Sequence, residues 1–240
     1  MSRATFTSAL ALAALAAAPA QSPGRASDGP LFSRPLAIDH AFCPFPDQAL
    51  HVLKGMVGSE GTLELAEFSP RTRAFAWSGQ EIECRTVFEW EFFFGFLLEA
   101  SANYYAQADD GSVYYFGEVV TSLDGGGDEL SWLVGGATQP SDPPSTVAAH
   151  HPALFMPAKP ALGSTWKPED LAPLLEEEAT VIAIGETVRT PFGDVEGCLK
   201  VLFSSGPDDM HVKYLAPGMG EVLEVYREEY SFLGGALVLP

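Results

Sequence analysis

The residues in this chain most able to bind something are the rings crowded into one short stretch: Trp90, Phe92, Phe93, Phe94 and Phe96. Burying a Phe side chain stabilises by roughly 1.5–3 kcal/mol, so several at one hairpin need a cover. Either the chain's own proline-rich loop lies over them, or they form an apolar pocket or exposed patch for something else. On the second reading Trp90, Phe92, Phe94 and Phe96 are the ligand-binding residues, holding an apolar small molecule or a partner protein by desolvation.

Gln107, Asp109, Asp110, Asp124 and Asp128 could offer oxygen ligands to calcium, but they lack the alternating acids and terminal glutamate of an EF-hand loop and read as Asp-Gly turns. His150 and His151 are adjacent, so in extended chain they point to opposite sides and do not chelate one ion. His40, His51 and His211 are isolated, and His211 reads as a solvated strand residue. No G-x-S-x-G, paired Ser/Lys or cysteine-nucleophile signature occurs. Acids such as Asp208 with Asp209, or Glu176 to Glu178, are neighbours in sequence, whereas glycosidase carboxyls face each other across a cleft. These patterns call for no metal and no cofactor, and lean away from an enzyme.

These side chains must be positioned by strands. Over 82–92, Cys84, Phe88, Trp90 and Phe92 share one parity, and Glu83, Arg85, Glu89 and Glu91 the other. This predicts a strand with a buried ring face and a wet acidic face. After Phe94-Gly95 the alternation resumes, with Leu98, Ala100, Ala102 and Tyr104 opposite Glu99, Ser101 and Asn103. Turns at 109–111 and 124–128 lead into strands 113–120 and 130–134. Further strands are predicted at 179–190, 196–204, 210–216 and 220–230, broken by Pro/Gly/Asp clusters. Short helices are suggested at 47–54 and after Pro168. Six prolines between Gln139 and Pro160 make that stretch a long loop through which no central strand can run. The fold class expected is all-β: a single domain, 37–240, built on a strongly curved or closed antiparallel sheet of barrel or half-barrel type, with one or two short helices.

Arg3, an alanine- and leucine-rich run over 4–18 and the triplet Ala18-Pro19-Ala20 read as a cleaved signal peptide, residues 1–20. With no cysteine before Cys43, no lipid anchor follows, and the protein is expected to be secreted or periplasmic. Residues 21–36 read as a disordered arm. A net charge of −19 repels phosphate backbones and anionic headgroups, which argues against nucleic-acid or membrane-surface roles. In an oxidising compartment the three cysteines suggest a disulfide between Cys84 and Cys198 with Cys43 left over, against the alternative of three buried thiols.

The segments 103–107 (NYYAQ) through 113–118 (VYYFGE), 152–157 (PALFMP) with Trp166, 190–193 (TPFG) and 213–222 (KYLAPGMGEV) resemble, in that order, an uncharacterised family of secreted bacterial β-rich proteins of unknown function. Two departures stand out. Phe94-Gly95 replaces a polar Asp-Gly turn, and 139–149 looks like an insertion beside His150 and His151. The resemblance implies a fold and no chemistry. The function expected from the sequence is therefore an exported, non-catalytic binding protein, with a hydrolase of unrecognised type or a structural envelope component as alternatives, and oligomeric state open.

Overall fold

The computed structural model describes residues 29–57, 59–123, 130–207, 209–226 and 229–238. The signal segment, residues 21–28 of the arm and the turn at 124–128 lie outside them. β1 (Asp39–His40) and β2 (Cys43–Pro44) form a hairpin of their own. All other strands belong to one sheet. A first meander comprises β3 (Ala49–Val57), β4 (Glu60–Trp77), β5 (Gln80–Phe93), β6 (Phe96–Gln107) and β7 (Val113–Ser122). Three short strands follow, β8 (Trp132–Val134), β9 (Val147–Ala149) and β10 (Ala153–Met156). A second meander comprises β11 (Thr165–Leu171), β12 (Leu175–Thr190), β13 (Gly193–Gly206), β14 (Asp209–Ala216), β15 (Gly220–Tyr226) and β16 (Glu229–Val238).

β16 pairs antiparallel with β3, which splices the two meanders into one path from β11 through β16 and β3 to β9. β10 pairs with the free edge of β7, and the Trp166 indole N–H on β11 donates to Phe155 O on β10 at 2.9 Å. The two edges thus meet, and the fourteen-stranded sheet, thirteen of its mostly antiparallel strands on one path and β10 beside it, nearly closes into a barrel. Closure of this kind removes exposed strand edges. β8 and β9 make the one parallel pairing among the described strands.

The expected helices are absent among the described residues. Residues 49–54 lie in β3, and the stretch after Pro168 is the end of β11 and its turn into β12. Local helix signals lost there to cross-strand pairing. The proline-rich loop is not wholly strandless, because β9 and β10 fit between its prolines and pair at an edge where a missing donor costs little. Phe94 does form the β5–β6 tip, with φ of 53° followed by Gly95 at 82°. Positive φ at both positions is what a two-residue type I′ hairpin requires.

One end of the barrel is plugged. Phe45 N bonds Ile38 O at 3.0 Å, closing the β1–β2 hairpin, and Gly218 N in the β14–β15 turn bonds Ala41 O at 2.7 Å. The outer face near that end is covered as well. Arg73, stacked on the Phe75 and Tyr104 rings, forms a bidentate pair with Asp142 of the proline-rich loop at 2.8 and 2.7 Å. Residues 29–36 of the N-terminal arm pack on the same layer: Phe32 stands edge-on to Tyr114 and Phe116, and Ser33 bonds Asp109 through N and Oγ at 2.7 Å each. Beneath these covers lie Phe75, Ile82, Cys84, Tyr104 and Phe116, all buried.

The acidic lumen

The side chains that line the barrel interior come from β3 to β7 and from β10 to β15, and they overturn the expected polarity of β5. Val87, Glu89 and Glu91 point inward, so by the period of two Phe88, Trp90 and Phe92 point outward. The parity holds, and its direction is the reverse of the one expected. At the plugged end the outward face is buried by the arm and loop, which hides Ile82 and Cys84. Farther along the same face, Phe88, Trp90 and Phe92 are only half-buried.

A cavity of about 460 Å³ occupies the lumen. Glu64 on β4, Glu89 and Glu91 on β5, Glu99 on β6 and Glu118 on β7 line one wall. Glu169 on β11, Glu177 on β12 and Glu221 and Glu224 on β15 line the other. Against these nine glutamates stand one lysine, Lys213, and two histidines, His51 and His211. The floor toward the plug is aromatic, with Phe45, Phe68, Tyr105, Tyr115 and Phe155. Phe45 meets Phe68 and Tyr105 edge-on, each with centroids 5.1 Å apart. Glu91 lines the lumen and is also exposed, so the cavity communicates with solvent at the end opposite the plug.

Two polar networks fix the walls. On β14, Lys213 Nζ lies 3.1 Å from Glu221 and 3.7 Å from Glu224, and over the Phe203 ring at 5.8 Å. His211 stacks on Phe203 at 5.1 Å and places Nε2 3.5 Å from Glu224 and 3.8 Å from Glu177. On the facing wall the Asn103 amide donates to Glu89 at 2.9 Å and accepts from the Tyr115 hydroxyl at 2.5 Å, while the Trp132 indole N–H donates to Glu118 at 3.1 Å. Glu221 Oε1 is buried without a hydrogen-bond partner.

Burial disfavours the ionised form of a carboxyl. It pushes Glu89 and Glu169 up to about 7 and Glu177 up to about 6. Glu64 is also raised, by burial first and neighbouring carboxylates second, and Glu221 is raised by burial against the opposing pull of Lys213. Burial works to lower Lys213, but the carboxylates of Glu221, Glu224 and Glu64 outweigh it and hold the ammonium charged. His211, expected in solvent, sits inside with its pKa lowered by burial.

The rings predicted to bind a ligand are placed elsewhere. Trp90 faces outward, Phe94 and Phe96 are 63% and 70% exposed at the hairpin tip, and Phe92 lines a second, smaller hollow at the open end, together with Phe93 and with Glu64, Glu91 and Glu224, which also line the lumen. The disulfide expected between Cys84 and Cys198 is not formed. Cys43, Cys84 and Cys198 are free thiols, and Cys84 and Cys198 belong to different hydrophobic clusters. Among the described residues no three His, Cys, Asp or Glu side chains converge on a metal position. Asp109 caps Ser33, Asp110 caps Ser112, and Gln107 exchanges hydrogen bonds with Asp39. His150 and His151 are both exposed. Glu176 turns outward to Lys167 at 3.0 Å while Glu177 turns inward. Sequence reasoning missed the lumen glutamates, although Glu64, Glu89, Glu99 and Glu118 each sit within an alternating run. Comparison with known proteins finds no matching family model, no matching curated protein and no matching solved structure, so no family is identified for this β-rich barrel.

Proposed function

We propose that the chain is an exported, non-catalytic binding protein whose lumen takes a small organic cation, an ammonium or guanidinium group carried on a short apolar body. The observation that carries this is the imbalance of nine glutamates against one lysine around a single cavity. The volume lies in the range of small-molecule sites. The carboxylates are spread over both walls, which suits a ligand with several N–H donors better than a compact metal ion. The aromatic floor supplies apolar contact and cation–π attraction for the rest of the ligand. Cys43, the thiol in the lining, is pushed up to about 12 by burial and is a poor nucleophile at neutral pH, which supports binding without transformation. A cationic ligand is preferred to the apolar one expected from the sequence because the cavity wall is acidic, Trp90 faces away from it, and Phe94 and Phe96 stand exposed at the hairpin tip.

The test is calorimetric titration with agmatine and spermidine, alongside anilinonaphthalene sulfonate as an apolar anionic probe. Saturable, salt-sensitive binding of a cation, weakened at least about tenfold in Glu89→Gln with Glu221→Gln (~1.4 kcal/mol), is expected. No heat from either amine, or saturable binding of the anion in the lumen, would overturn the reading.

A further inference from the structure

The barrel is inverted in polarity over the half that neither arm nor loop covers. Inward positions carry Glu, Asn, His and Lys, and the positions between them carry Leu65, Phe88, Trp90, Ala102, Val119 and Val212. None of Leu65, Phe88 and Trp90 packs into either hydrophobic cluster. This outward face crosses β7, β6, β5, β4, β3, β16, β15 and β14 in sheet order. Seven spacings of about 4.8 Å make it an arc of about 34 Å around the barrel, and the six residue steps from Phe88 to the exposed Phe94 make it about 20 Å tall. The part of the arc around Leu65, Phe88 and Trp90 is what a second copy can meet. A bilayer would need an apolar belt around the whole circumference, and Glu176 and Glu178 interrupt it on β12.

Its charges identify the occupant. The outward side chains of β3 and β4 include two exposed cations, Lys54 and Arg71, the latter 5.7 Å over the Phe88 ring, and one half-buried acid, Glu67. The register pairs Lys54 with Leu63 and Leu50 with Glu67, so Lys54 and Glu67 lie four residue steps apart, about 13 Å. A twofold axis through the face sets each residue against its counterpart's partner, so Lys54 of either copy faces Glu67 of the other and two ion pairs form at once. Everywhere else a net charge of −19 drives copies apart. We propose that this face is the interface of a homodimer, self-complementary through Lys54 and Glu67 around a centre of Trp90, Phe88 and Leu65. The inference is independent of what the lumen holds.

Sedimentation velocity over a dilution series tests it. The wild type is expected to dimerise, more tightly as salt screens the overall repulsion. Trp90→Glu, an outward position, is expected to be monomeric with an unchanged circular dichroism spectrum. Lys54→Glu should raise the dissociation constant about tenfold or more, and Lys54→Glu combined with Glu67→Lys should restore it. A monomer at every concentration, a Trp90→Glu variant that still dimerises, or a charge swap that fails to rescue would each overturn the proposal.

Discussion

Replacing Glu89 by Gln tests the claim that the lumen holds carboxylates at a cost to stability. Burial raises this carboxyl from 4.5 to about 7, so between those values the folded chain keeps a proton that the unfolded chain has released. Stability therefore falls as pH rises through that window. At 1.36 kcal/mol per pH unit, the ionised group costs at most on the order of 3 kcal/mol at pH about 8, and nothing at pH about 4. Gln keeps an oxygen that can accept the Asn103 N–H bond and removes the charge. Urea unfolding of Glu89→Gln against wild type is expected to show a gain of about 1–3 kcal/mol at pH about 8. The gain should shrink to near zero at pH about 4, while affinity for agmatine drops. A variant that is destabilised at pH about 8, or whose difference from wild type does not change with pH, would refute the reasoning.

Arg73→Met leaves Asp142 with the backbone N–H groups of Thr138 and Gln139 and no cation; a loss of about 3–5 kcal/mol and faster proteolysis of the loop are expected. In the wild type, Arg73 holds Asp142 at about 2, so that contribution is present above pH 3.8 and is lost as pH falls toward 2, which acid unfolding curves will register. Gly117→Ala places a Cβ 2.2 Å from Trp132 O at a φ of +121°. It should cost at least about 2 kcal/mol, read as a lowered melting temperature, unless the β7–β8 pairing shifts. Thiol titration of the denatured, unreduced protein should count three free thiols, and reduction should leave the melting temperature unchanged.

Much of the fold was legible because antiparallel strands write their period and turns locally. The alternation of 82–92, the Phe94-Gly95 tip and the Pro/Gly breaks at 191–193 and 217–220 placed strands close to where they lie. What failed was the assumption that apolar means inside. A run such as Phe88-Glu89-Trp90-Glu91-Phe92 looks the same whether its rings or its acids face the barrel axis, and only the closure of β10 against β11 decides it. Burial of Ile82 and Cys84 on the outward side was equally invisible, because their cover comes from Phe32 and Asp142, far away in sequence. The lumen's charge left a trace in the −19 total, but nothing local says that nine of those acids converge on one cavity.

Proton counting on binding reaches the central claim most directly. Calorimetry of agmatine at pH about 6.5, repeated in buffers of different ionisation heat, reports how many protons leave as the cation enters. Net proton release, abolished when Glu89 and Glu169 are both changed to Gln, is the expected result. Binding with no proton release, or with uptake, would mean that the cation does not sit among the raised carboxyls of the lumen.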